Sequence, residues 1–174
     1  IVCDDCSKDK TTSILKFLYS DNPMIRIIHN EKNCGVGFTR NKAIKESHGR
    51  YIFLLDADDY IHPSTLELMV TSLELNPGFD YVSSDYLYID DDGQKSSSIS
   101  SLERPIACGN LITKGVFVKH GLYKDLRIGE DKEFQSRILK KARRLHLPIP
   151  LYRYRQHKLS ITANYEKKRS YDKD

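Results

Sequence analysis

The sequence predicts an α/β protein in which a mainly parallel sheet is flanked by helices. Three observations lead there. Apolar, β-branched runs at residues 1–2, 25–29 and 51–55 alternate with helical patterns, the order that builds a parallel sheet through crossover helices. The run at 51–55 is almost wholly apolar, as in a strand covered on both faces. Breakers separate the runs at Asn22-Pro23, Gly49 and Asn76-Pro77.

Each element has its own signal. Ile1-Val2 reads as the tail of a strand. Ser7 is placed to cap the next helix, whose apolar face is Ile14, Leu15 and Leu18. Residues 25–29 make the second strand. A loop at 30–35 leads into a helix through Ala43 and Ile44, with Gly49 as its closing residue. Pro63 suits the first turn of another helix, with Leu66, Met69, Val70 and Leu73 as its buried stripe. Residues 79–89 read as a strand ending in the turn Asp90-Asp91-Asp92-Gly93. Beyond it the pattern is less regular. Residues 96–101 are polar and expected to be mobile, and 110–118 to be a strand or an edge segment. Residues 130–145 read as a helix with Phe134, Ile138 and Leu139 inward, and 151–157 as an extended aromatic and basic segment.

The 174 residues suit one domain with a substantial core. No apolar run approaches the roughly 20 residues of a membrane span. Net charge is +4, with the basic excess late, at Lys140, Lys141, Arg143, Arg144 and residues 166–174. That excess is either a solvated face or a patch for anionic lipid or a phosphorylated substrate. No nucleic-acid-binding motif accompanies it. Cys3 and Cys6 form a CxxC with no second pair to complete a zinc site. Free thiols in a reducing cytoplasm are expected for these two, Cys34 and Cys108.

The chemistry concentrates in carboxylates. In IFLLDADDY, residues 52–60, an apolar strand runs into Asp56, Asp58 and Asp59. Hard oxygen ligands of this kind suit Mg²⁺ or Mn²⁺, held by one or two carboxylates with water and substrate phosphate. For Asp59 a helix cap is an equal reading. Asp4-Asp5 also falls at a predicted strand end, where such sheets bind ligands.

The motifs then come in a telling order: IVCDDCSKD, NCGVGFTRNKAI, HGRYIFLLDADDY, HGLYKDLRIGEDKEF and YRYRQHKLSIT. Together they resemble the family 2 glycosyltransferases of the inverting, GT-A type. Members typically read I-V-D-D-G-S-x-D, N-x-G-x-x-x-x-R-N-x-A, G-x-Y-I-x-x-L-D-x-D-D, G-E-D and Y-x-Y-R-x-H-x-x-S-I-T. Cys6 stands at the position of the family's glycine. The family's opening strand and helix have no counterpart here, so the chain is expected to lack them.

The resemblance implies a Rossmann-like GT-A sheet. It also implies a nucleotide-sugar-binding half at 1–90 and an acceptor-binding half at 91–174. The implied reaction moves a sugar from a nucleotide-sugar, expected to be UDP-linked, to a hydroxyl of a glycan or lipid-linked acceptor in cell-surface polysaccharide synthesis. A silent nucleotide- or glycan-binding domain is the alternative. The implied setting is cytoplasmic, with peripheral contact at the inner face of the membrane. By residue, Asp5 would accept from the base, with Asp4 supporting the loop or capping a helix. Asn33 and Gly35 would shape the donor turn. Arg40 would lie near the diphosphate or form an ion pair, and Asn41 carries the same two readings. Asp56 would contact the donor and share the metal with Asp58. Asp131 would be the general base, assisted by Glu130, unless the two only favour a helix N-terminus. Arg153, Arg155 and His157 would close over the diphosphate.

Overall fold

The computed structural model describes residues 1–126 and 129–157. In chain order the elements are β1 (Val2–Asp4), α1 (Thr11–Tyr19), β2 (Ile27–His29), α2 (Val36–Glu46), β3 (Tyr51–Phe53), β4 (Tyr60–Ile61), α3 (Thr65–Leu75), β5 (Tyr81–Ile89), β6 (Asn110–Thr113), α4 (Lys114–His120), α5 (Glu130–Phe134) and β7 (Arg144–Arg155). They divide into two compact units. One is Ile1–Ile52 with Thr113–Arg143, the other Phe53–Ile112 with Arg144–Asp174.

In the first unit β1 and β2 run parallel, Val2 opposite Ile27 and Asp4 opposite His29. The crossover between them is α1, as the alternation predicts. Its start differs from expectation. The Ser7 hydroxyl donates to Asp4 instead of capping a helix, so α1 begins only at Thr11, whose N–H donates to Asp9. The expected apolar stripe is also open: Ile14 and Leu18 are exposed, as are Phe17 and Tyr19. Ser47, in extended conformation, ends α2, and Gly49 lies in the turn beyond it. An aromatic stack forms the unit's core. The Tyr123 and Phe134 rings lie 4.0 Å apart and nearly parallel, and the Phe117 ring also stacks on Phe134 at 5.6 Å. After α5 the backbone widens into a π-helical turn at Gln135–Leu139. The helix expected to reach residue 145 therefore stops early, and β7 begins at Arg144. Leu139's side chain lies outside the described residues.

The second unit's sheet has the order β3-β6-β5-β7-β4. The α/β class holds, but this sheet is mixed. β5 pairs parallel with β7 and antiparallel with β6, and β4 pairs antiparallel with β7. The cause lies between β5 and β6, where no helix intervenes. Residues 95–99 instead fold back on β5, bridging Tyr86 to Ile99 and Ile89 to Lys95. A return without a crossover helix gives antiparallel strands. The segment expected to be mobile is thus hydrogen-bonded, and Ser101 is buried. Residues 110–118 split into β6 and α4. Helix α3 begins at Thr65, two residues after Pro63, and buries Thr65, Met69 and Leu73, while Leu66 is exposed. Tyr86, Tyr152 and Cys108 form a buried cluster joined by Phe53, Ile61, Tyr88 and Tyr154.

Candidate active site

Two polar centres hold the predicted residues, one in each unit. In the first, the end of β1 places Asp4 and Asp5 beside the loop that leads into α2. Asp4 is buried and organises its own turn. It accepts from the Ser7 N–H at 3.3 Å and the Thr12 hydroxyl at 3.3 Å, and it faces His29 Nδ1 at 3.4 Å. Of its two readings, the loop support is what the structure contains. The Ser7 hydroxyl leads in holding its carboxyl below the usual range, against burial.

Asp5 reaches across to the next loop. Oδ1 accepts from the Cys34 N–H and the Asn30 amide, each at 2.8 Å, and Oδ2 from the Gly35 N–H at 2.8 Å. Burial alone would raise its pKa, but these donors outweigh it and leave the group lowered. Both aspartates therefore contribute stability that is present above the unfolded-state value near pH 4. That contribution is lost as pH falls through their lower folded values. Asn33 completes the loop by donating to the Asp5 carbonyl at 3.3 Å. Gly35, at φ 85°, takes a backbone that a side chain would strain. Asn30 and Lys42, which the sequence did not single out, brace this loop: Lys42 Nζ donates to Asn30 Oδ1 and to the His29 carbonyl, both at 2.9 Å.

Cys6 has φ 64°, and it is the one non-glycine with positive φ among the described residues. Left-handed backbone costs an L-residue about 1–2 kcal/mol, of which glycine's greater chain entropy returns part. Cys6→Gly is expected to stabilise the chain by about 0.5–1 kcal/mol, read as a higher melting temperature.

Arg40 and Asn41, on α2, turn to protein partners. Arg40 Nη1 bonds Asp131 Oδ1 and lies 3.6 Å from Glu130 Oε1, with its guanidinium 5.6 Å from the Tyr123 ring centre. Of its two readings, the ion pair is present. Asn41 grips the Tyr123 backbone with both amide atoms, Nδ2 to the carbonyl at 2.8 Å and Oδ1 from the N–H at 2.9 Å. The sequence also passed over Gly37. A Cβ there would meet the Lys124 carbonyl at 3.3 Å and Glu130 Cβ at 3.5 Å, so a glycine lets α2 approach α5. The two acids differ in access: the Glu130 side chain is 8% exposed and the Asp131 side chain 36%.

In the second unit the three aspartates have separate roles. Asp59 is a structural anchor rather than a helix cap. Tyr152 Oη donates to its Oδ2 at 2.6 Å and the Arg155 N–H to its Oδ1 at 2.8 Å. Burial is the leading influence and pushes the Asp59 carboxyl above its usual range, with the Tyr152 hydroxyl opposing. Asp58 Oδ2 stands 3.0 Å from His157 Nε2. Oxygens of Asp56 and Asp59 and the Cys108 sulfur lie within 4.8 Å of one another. Either group could face a cation, but Asp59 and Cys108 are bound into the core around Tyr152. Asp58 and His157 pair a carboxylate with an imidazole, two groups that could serve a divalent cation. His157, which the sequence reading set over the diphosphate with Arg153 and Arg155, is here the partner of Asp58. Residues 158–162 of the YRYRQHKLSIT motif, and Arg127 and Ile128, lie outside the described residues.

Removing the Tyr152 hydroxyl strips Asp59 of a donor in a buried place. Tyr152→Phe is expected to cost about 2 kcal/mol at neutral pH. The loss raises the folded-state value of Asp59 further, and a raised carboxylate binds its proton more readily folded than unfolded. The penalty is therefore full at neutral pH and shrinks as pH falls through that raised value. Urea unfolding of both proteins at about pH 7 and about pH 4 reads the difference.

The family model for glycosyl transferase family 2 matches residues 1–121. The chain belongs to that family. Similar family members include an uncharacterized glycosyltransferase of Methanocaldococcus jannaschii, 38% identical over 93 residues, covering 53% of this chain and 32% of that protein. Escherichia coli chondroitin synthase is 42% identical over 67 residues, 38% of this chain and 10% of the synthase. The succinoglycan biosynthesis protein ExoO of Rhizobium meliloti is 37% identical over 70 residues, 40% of this chain and 20% of ExoO. The chain thus spans less than a third of the length of these relatives. Among solved structures, S. aureus TarS in complex with UDP-GlcNAc superposes with a TM-score of 0.76 at 21% identity, covering 91% of this chain and 50% of TarS. The fold is that of the GT-A glycosyltransferases. No helix among the described residues is long and apolar enough to cross a membrane.

Proposed function

We propose that the chain is the transferring domain of an inverting glycosyltransferase. It moves a sugar from a UDP-sugar to a hydroxyl of a glycan or lipid-linked acceptor in cell-surface polysaccharide synthesis, at the cytoplasmic face of the membrane. Residues 1–90 serve the donor, joined by the segment 153–157, and the rest of 91–174 serves the acceptor. The observation that carries this reading is the Arg40–Asp131 pair, which keeps a half-exposed carboxylate in a fixed place on the first turn of α5. Family membership, the polysaccharide-synthesis names of relatives and the UDP-GlcNAc bound to TarS support it.

In this reading Asp131 takes the proton of the acceptor hydroxyl as that oxygen attacks the anomeric carbon. Glu130, buried beside Arg40, steadies the pair. The loop of Asn33, Cys34 and Gly35, held by Asp5, meets the donor's base, and Asp56 meets its ribose or sugar. Asp58 and His157 would hold Mn²⁺, with Asp56 as a further ligand. A mixed oxygen and imidazole set suits Mn²⁺ better than Mg²⁺. When bound, the cation offsets charge on the leaving diphosphate. Arg153 and Arg155 add positive charge to the same segment.

Thermal melts of the protein with UDP, with and without Mn²⁺, test the donor and metal assignments together. UDP at 100 times its dissociation constant adds about 2.7 kcal/mol, a rise of several degrees. In His157→Ala the Mn²⁺-dependent part is expected to disappear. A UDP shift indifferent to Mn²⁺ in the parent protein would remove the metal from the proposal, and no shift at all would remove the donor.

A further inference from the structure

We infer that Arg40 is the positioning residue of Asp131, setting both where that carboxylate sits and the pH at which it gains a proton. This rests on Asp131 being the base. Arg40 is nearly buried, its side chain 10% exposed, and it has two carboxylates within reach: Asp131, directly bonded, and Glu130 at 3.6 Å. The fork is itself fixed. Its guanidinium packs over Tyr123, and Tyr123 is held by the stacked Phe134 ring and by the paired amide bonds from Asn41. The adjacent residues Arg40 and Asn41 thus act as one clamp from α2: the amide holds the chain before α5 and the guanidinium holds the acid on it.

Apart from Glu130, the other described charges on α5 are engaged elsewhere or exposed, while Arg40 is in contact with Asp131. On α5 itself, Glu133 is engaged by Arg137, at 2.7 and 3.1 Å, and by Lys124 from the preceding loop at 3.1 Å. Arg137 also donates to the Leu122 carbonyl at 2.6 Å and to the carbonyl of His120. Lys132 is exposed. Among the described contacts of Asp131 and its neighbours, Glu130 supplies a like charge and Arg40 an opposite one. An opposite charge at contact favours an ionised carboxylate and a like charge opposes it, each by about a unit or more.

The test is the pH profile of kcat/KM for transfer or donor hydrolysis in the full-length protein, with Arg40→Met, Arg40→Lys and Glu130→Gln. In Arg40→Met the acid limb is expected to rise by about one pH unit, and kcat to fall about 10- to 100-fold from misplacement, with the donor KM little changed. Arg40→Lys keeps the limb near its parent position while part of the rate is lost, because a lysine supplies charge without the fork. In Glu130→Gln the limb moves the opposite way, downward. That variant decides the matter if Arg40→Met fails to fold. A donor KM that rises with kcat and limb unchanged would make Arg40 a diphosphate contact and overturn the inference. So would an unmoved limb in Glu130→Gln. Asp131→Asn separates the two claims. If it remains fully active, the base assignment itself falls. If it is inactive while the limbs stay put, only the role of Arg40 falls.

Discussion

Asp131→Asn is expected to lower sugar transfer by about 10²- to 10⁴-fold, the usual contribution of a positioned base, while UDP still raises the melting temperature in the presence of Mn²⁺. The substitution is nearly isosteric, and the asparagine oxygen can still accept from Arg40. What it removes is the capacity to take a proton. The fold is therefore expected to survive, as judged by circular dichroism and by an unchanged melt without ligand. Glu130→Gln serves as the contrast. Glu130 is buried and Asp131 is half open, so a hydroxyl from outside can meet only the second directly. Full activity in Asp131→Asn would make the first-turn acids of α5 mere helix-terminal charges.

Gly109→Ala is expected to be among the most destabilising single changes in the chain, at about 3 kcal/mol or more. Two costs combine. Gly109 has φ 73°, which charges an alanine about 1–2 kcal/mol. The new Cβ would also lie 2.8 Å from Tyr152 Cδ2 and 2.9 Å from Cγ, and overpacking of that kind costs about 1–3 kcal/mol. Tyr152 cannot yield easily. It is 1% exposed, and its hydroxyl is bonded to Asp59. Urea unfolding gives the measurement. A loss below about 1 kcal/mol would mean that the ring shifts freely and that the anchor on Asp59 is loose.

What could be read from the sequence was what adjacent residues decide. The turn before α2 is one case: Gly35 takes a positive φ there, as a loop entering a helix asks of a glycine. The α/β class was readable for the same reason. What failed was decided by partners far along the chain. Asp59 looked like a helix cap because its partners, Tyr152 and Arg155, come 93 and 96 residues later. Ser7 is a local exception: its hydroxyl goes to Asp4, three residues before it, and not to a helix start. Arg40 and Asn41 kept two readings, toward the donor or toward protein partners, because only the fold brings Tyr123 and Asp131 to them. The parallel sheet was extrapolated past β5, where the helices that make a crossover run out. The helix at 130–145 kept its periodicity on paper, but a π-helical turn shifts the backbone register after Phe134.

The hydrogen bonds around Asp5 have a thermodynamic meaning. The amides of Cys34 and Gly35 are already fastened to a carboxylate that cannot easily be protonated. On the proposed donor reading, a nucleoside arriving there would find a surface set in advance and have little chain to freeze. Ordering a loop residue costs about 1–2 kcal/mol in entropy; here folding has already borne that cost. If that proposal holds, discrimination between nucleobases at this loop would be a matter of rigid shape, expressed chiefly in how fast a poorly fitting base leaves.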